Sequence, residues 1–188
     1  MRRQRQVFSP IVTVLFTFLP AAVAADMGID GRILAFLSAM DKGYALPDSN
    51  WYLQKDIHYI NETIYPPYYA RGDFNTDGEP DFALSVLQFD PLGRIHGRIL
   101  VFHFKSGEID SCFPLGDFEV FSSKNANGIT IEILGSIRRL DPEKYKKHLA
   151  QADTIVEIKS DAIELRTHSR YYWAWDGKGY IQDYLFHE

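Results

Sequence analysis

GDFNTDGEPDFALSVLQ, residues 72–88, holds the change of texture on which the fold turns: a short acidic loop runs straight into an apolar stretch. Asp73, Asn75 and Asp77 alternate with Phe74 and Thr76, and Gly78 and Pro80 break any regular element. From Asp81 to Gln88 the chain then reads DFALSVLQ, an apolar run of strand length. Downstream, the turn-rich Asp90-Pro91-Leu92-Gly93 separates this run from a second one, Gly97 to Phe104 (GRILVFHF). Ile129 to Leu134 alternates in polarity and follows the turn signal Asn125-Ala126-Asn127-Gly128. Three more strands are expected at Ala162–Arg166, Tyr171–Trp175 and Tyr180–Phe186. The last two are joined by Asp176-Gly177-Lys178-Gly179, where Asp-Gly accepts the positive φ of a tight hairpin. The pattern predicts a mainly β protein, one antiparallel β domain that is propeller-like or sandwich-like.

Upstream, Ile33, Leu34, Phe36, Leu37 and Met40 fall at helical spacing. Asp30 is placed to cap this N-terminal helix and Gly43 to end it. Its expected duty is to cover one side of a sheet. Asp141-Pro142-Glu143 is a second start signal, leading into a short surface helix over Lys144 to Ala152. Lys144, Lys146 and Lys147 read there as a solvated face.

The first 24 residues have the composition of a secretory signal. Arg2, Arg3 and Arg5 precede the apolar run Ile11 to Leu19, and Ala22-Val23-Ala24 offers a small-residue cleavage site. The apolar run is shorter than the roughly 20 residues a membrane span requires. The expected organisation is therefore a signal peptide, 1–24, and one domain, 25–188, that is periplasmic or secreted and not inserted in a membrane after cleavage. Without those three arginines the remaining 164 residues carry 17 basic against 25 acidic side chains, a formal charge of −8. Such a surface lacks the grouped Lys and Arg that phosphate binding uses, which argues against nucleic acid and anionic membranes. Cys112 is the one cysteine, so no intramolecular disulfide can form, and its setting in Ser111-Cys112-Phe113-Pro114 reads as a buried, inert thiol.

Residues 73–81 carry the clearest chemistry. Oxygen donors fall at loop positions 1, 3, 5 and 9 (Asp73, Asn75, Asp77 and Asp81), and Glu79 at position 7 offers its backbone carbonyl. Gly78 at position 6 permits the turn that gathers them. Calcium takes six to eight hard oxygens at flexible distances, which this spacing suits better than magnesium's tight octahedron. An EF-hand would place a bidentate Glu at position 12, where this chain has Leu84. Weak affinity, in the extracellular range of about 10⁻⁴ to 10⁻³ M, is expected.

The stretch Gly72 to Leu84, GDFNTDGEPDFAL, closely resembles the calcium loop of FG-GAP (VCBS-type) repeats, in which the same donors precede a β-strand. The resemblance implies Ca2+ as the metal, with Asp73, Asn75, Asp77, Glu79 through its carbonyl, and Asp81 as ligands. It covers about a dozen residues; no second copy occurs, and the domain is too short for repeated propeller blades. More loosely, one such loop followed by RILVFHF and DAIELRTHSRYYWAWDGKGY resembles small exported bacterial β proteins, among them periplasmic, immunity-type inhibitors of lysozyme. That resemblance implies a non-enzymatic protein whose partner is a wall-degrading enzyme, with an inhibitory loop beginning at Ser106-Gly107. The tyrosine expected shortly afterwards is absent; Glu108, Ile109 and Asp110 follow.

The remaining features have ordinary readings beside sharper ones. His58, His96, His103, His148, His168 and His187 show no metal-binding spacing, and His103 reads as a sheet-edge histidine. No Gly-x-Ser-x-Gly elbow is present. An exported hydrolase would have to draw paired carboxylates from Glu108, Asp110, Asp117 and Glu119; a structural or adhesive envelope protein is the third alternative. Tyr171, Trp173 and Trp175 should share one face of a strand and Tyr172 the other, one set in the core and one available for contact. Tyr65-Pro66-Pro67-Tyr68-Tyr69 reads as a rigid lead-in packed beside the metal loop. Asn61-Glu62-Thr63 is a glycosylation sequon that matters only in a eukaryotic secretory pathway.

Overall fold

The computed structural model describes residues 29–40, 43–47, 68–90, 92, 94–125, 128–133, 135–143, 158–167 and 169–185. The expected signal (1–24), the sequon at 61–63, residues 65–67 of the lead-in and the helix over 144–152 lie outside the described residues; Pro142 and Glu143, just before that helix, are helical. No helix among the described residues is long and apolar enough to cross a membrane.

Helix α1 (Gly31–Ala39) begins at Asp30, whose carboxylate accepts the Arg32 N–H at 2.9 Å, the N-cap contact expected of a short acidic side chain. Ile33 and Leu37 are buried, Leu34, Phe36 and Met40 are partly buried, and the intervening positions are exposed. The helix ends at Met40, in extended conformation, with its N–H on the Phe36 carbonyl. Gly43, at φ 61°, lies three residues further on, so it bends the chain into β1 rather than capping the helix.

The strands are β1 (Tyr44–Ala45), β2 (Tyr69–Gly72), β3 (Asp81–Phe89), β4 (Ile95–Lys105), β5 (Glu108–Phe118), β6 (Val120–Asn125), β7 (Gly128–Ile133), β8 (Ser136–Leu140), β9 (Ala162–Arg166), β10 (Arg170–Trp175) and β11 (Tyr180–Leu185). All pairings among the described residues are antiparallel, and the protein is mainly β, as its patterning predicts. One sheet has the order β1-β3-β4-β5, with β2 also on β3; a second has the order β11-β10-β9-β8; β6 and β7 form a ribbon. The sheets adjoin where β2 lies against β8. One hydrophobic cluster takes Ile33 from α1, Leu84 and Val86 from β3, Val101 from β4, and Ile163 and Trp173 from the second sheet. β3 reads as a nearly continuous apolar run because seven consecutive residues, Asp81 to Leu87, are buried.

The aromatic strand β10 divides as alternation requires. Tyr171 and Trp173 stack at 6.2 Å beside the main core, whereas Tyr172, fully buried, joins Leu140, Ile158, Ala162 and Ala174 on the other face. Both sets thus help to form core. Cys112 is half-buried in β5 and packs against the main cluster, more open than its apolar neighbours suggest.

Candidate metal centre

The 73–81 loop hangs between the end of β2 and the start of β3, at the seam of the two sheets. Its second residue, Phe74, is wholly buried and fixes the loop to the core. Thr76 at φ 66° and Gly78 at φ 85° turn the chain back, an unusual conformation for a β-branched residue and an easy one for glycine. Each short polar side chain caps an amide further along. Asn75 Oδ1 accepts from the Asp77 N–H at 3.0 Å, Asp77 Oδ1 from Glu79 at 2.8 Å, and Asp73 Oδ2 from Gly78 at 3.1 Å. These turns order the donors that the sequence singled out.

Asp81 is fully buried, and both of its oxygens are engaged: Oδ2 accepts the Phe74 N–H at 2.9 Å and Oδ1 the Phe104 N–H at 3.0 Å. Burial pushes its carboxyl up to about 7, and the Asp77 and Asp73 charges add to that rise while the two N–H groups oppose it. Glu79 turns its carboxylate away from the loop, accepting the Ser106 and Gly107 N–H groups at 2.7 and 3.3 Å. Those two residues are the tip of the β4–β5 hairpin, where Lys105 pairs with Glu108 and both tip residues have positive φ, 54° and 81°. This is the twist that suits a two-residue hairpin.

On its other flank the loop is held by a residue that sequence reasoning missed. Asp161, just before β9, accepts the Asp73 N–H at 2.9 Å, donates its own N–H to the Asp73 carbonyl at 3.0 Å, and pairs with Arg139 of β8 at 2.8 Å. A side chain on Gly72 would strike the Asp161 carboxylate at 2.7 Å, which accounts for glycine there. Asp161 lies 88 residues from Asp73 and belongs to no local motif, so no sequence signal marked it.

One observation tests whether these residues suit a cation. Asp73 Oδ1 is buried without a hydrogen-bond partner among the described residues, although a buried charged oxygen without a donor is costly. A hard cation supplies the missing contact and relieves the mutual repulsion of Asp73, Asp77 and Asp81. The donor types suit calcium, which would be held by Asp73, Asp77 and Asp81 with Asn75 and the Glu79 carbonyl; here Asn75 Nδ2 donates to Asp77 Oδ2 at 2.8 Å. Among the described residues no three His, Cys, Asp or Glu side chains already stand together as a metal cluster.

The other candidates are dispersed. His103 is not at a sheet edge: it lies on β4, between β3 and β5, is almost fully buried, and packs against Phe113, Trp175 and Tyr180. Its Nε2 is 2.7 Å from the Tyr180 hydroxyl, a bridge between the two sheets, and burial lowers its proton affinity. His96 lies 3.5 Å from Asp90; the other four histidines lie outside the described residues. Glu108 and Asp110 sit at one end of β5, while Asp117, paired with Arg98 at 2.8 Å, and Glu119 sit at the other. Asp110 and Asp117 are seven positions apart along the strand, roughly 20 Å, beyond the spacing of paired glycosidase carboxylates. A third buried acid, Glu164, receives Arg138 and lies 3.3 Å from the Tyr172 hydroxyl. It braces the second sheet.

Compared with protein-family models, with curated proteins and with solved structures, the chain finds no match.

Proposed function

We propose that this chain is an exported, calcium-stapled binding protein without catalytic chemistry of its own, whose partner is a wall-degrading enzyme of the lysozyme type. The observation that carries the reading is the link from the loop to the hairpin tip. The residue whose carbonyl would bind calcium, Glu79, also grips Ser106 and Gly107 through its carboxylate. Metal binding would fix Glu79, and Glu79 would fix the tip, so a short projecting turn is presented ready-shaped. Pre-organisation of this kind raises affinity by lowering the entropy lost on docking. Export is supported by the cationic, apolar and small-residue segments of residues 1–24.

The test is a cell-wall lysis assay with the purified protein and a panel of lysozymes, in calcium and in EDTA. Inhibition and a stable complex in calcium, weakened in EDTA, are expected. Undiminished lysis and no complex with any member of the panel would reject the inhibitor reading, while leaving the metal site to be judged by its own measurement.

A further inference from the structure

A cleft of about 470 Å³ opens between α1, β2 and the β4–β5 tip. Ile29, Pro80, Phe82 and Phe104 give it apolar walls, and two guanidinium groups stand at its rim. Arg32 lies over the Phe104 ring at 4.7 Å and Arg71 over the Phe82 ring at 5.4 Å. Stacking of this sort holds a guanidinium flat while leaving its in-plane N–H groups free to donate.

Asp30 and Glu79, the acids that line the cleft, are already committed, and Glu108, whose charge also bears on Arg32, does not line it. Asp30 gives Oδ1 to the Arg32 backbone N–H and Nε, both at 2.9 Å, and Oδ2 to its Nη2 at 2.5 Å. Glu79 gives one oxygen to each amide of the hairpin tip. Arg71 has no ion-pair partner among the described residues, and the Nη1 of Arg32 faces Gly107, 3.6 Å from where a side chain there would begin. The side-chain hydrogen-bonding capacity left in the cleft is thus that of donors, the Arg71 guanidinium and the Nη1 of Arg32, beside apolar surface. A planar anion with apolar atoms one or two bonds away complements both.

We propose that this cleft binds the C-terminal carboxylate of a peptide whose last residue is apolar, the carboxylate on Arg71 and Arg32 and the side chain against Phe82 and Phe104. A terminal residue carries its carboxylate and its apolar side chain on the same carbon, which the close spacing of arginines and rings requires. The volume admits one or two residues, within the range of small ligand sites. This site rests on the two arginines and two rings, and it stands whether or not the 73–81 loop holds calcium.

The experiment is an NMR titration of the purified protein with acetyl-Ala-Leu as the free acid, with its C-terminal amide, and with acetyl-Ala-Glu amide. The free acid is expected to shift the Arg71, Phe82 and Gly107 signals in a saturable way, and the amide to bind at least roughly tenfold more weakly. Arg71→Met, which keeps the aliphatic stem on Phe82, should lose a similar factor for the free acid. Arg98→Met, on the far part of β4, should lose none. Unchanged spectra elsewhere show that the variants fold. Equal binding of acid and amide, no saturable shift, or full affinity in Arg71→Met overturns the proposal; equal affinity for the glutamyl amide overturns the terminal-carboxylate assignment.

Discussion

Glu79 and Asp81 show how one loop does separate jobs with adjacent acids. Glu79 is half-exposed and faces two amides of the hairpin tip, so solvent screens part of its contribution. Glu79→Ala is therefore expected to speed hydrogen exchange at Ser106 and Gly107 while lowering global stability by only about 1 kcal/mol. Unchanged exchange at both amides would show that the carboxylate does not hold the tip. Asp81 is different, since both of its oxygens accept from buried amides. An amide in its place can accept on one side only and turns a donor toward the other N–H. Asp81→Asn should cost about 2 kcal/mol in urea unfolding even in EDTA, where metal plays no part; a neutral result would mean that the loop is held from elsewhere.

His103 gives a pH dependence whose sign follows from its burial. Its proton affinity is lowered in the folded state, with Asp77, Asp110 and Asp73 partly offsetting the effect and Tyr180 at its Nε2. The unfolded chain then binds the proton more readily, so stability is full above about 6.5, the ordinary histidine value, and falls as the pH drops below it. His103→Gln, which does not titrate, should flatten that part of the stability–pH curve; an unchanged slope would assign it to the carboxylates.

At the scale of elements, α1 makes the most direct claim. Ile33 is fully buried in the main cluster and Leu34 only partly. Ile33→Ala is expected to cost about 2 to 5 kcal/mol in thermal or urea unfolding and Leu34→Ala distinctly less. Equal costs would mean that the helix is rotated from the position described. This helix was legible because its period and its Asp30 cap agree. β3, β4, β7, β9, β10 and β11 were legible for a similar reason: apolar or alternating runs bounded by turn residues.

β5 was not legible. Residues 108–118 contain Pro114, Gly116 and three acids and show no alternation; they are extended because β4 offers a partner strand. Two register shifts in that pairing accommodate the irregularity, and β5 closes one edge of its sheet, where a proline costs little. β8, SIRRL, hid for another reason. Its arginines look solvated in sequence, yet Arg138 and Arg139 meet Glu164 and Asp161 from the neighbouring segment. Local pattern cannot reveal a partner set by register. The same limit applied to the candidate site. The acidic loop from Asp73 to Asp81 could be marked as a candidate from spacing alone, whereas Asp161, the Glu79 grip on the tip and the cleft at Arg71 arise only when distant strands come together.

Across the whole molecule, the 73–81 loop sits where the two sheets adjoin. Asp161 and Arg139 tie it to the second sheet, and Asp81 and Glu79 tie it to β4 and the β4–β5 tip. A chain with one cysteine has no disulfide to hold this seam, and a cation at Asp73, Asp77 and Asp81 would serve instead. The most direct measurement is thermal unfolding of the purified protein in EDTA and in calcium, with Asp77→Ala beside the natural sequence. At 100 times the dissociation constant, one native-state site adds about 2.7 kcal/mol. The account predicts a rise in Tm of several degrees that Asp77→Ala abolishes. The same Tm with and without millimolar calcium, or a rise that survives in Asp77→Ala, would contradict it.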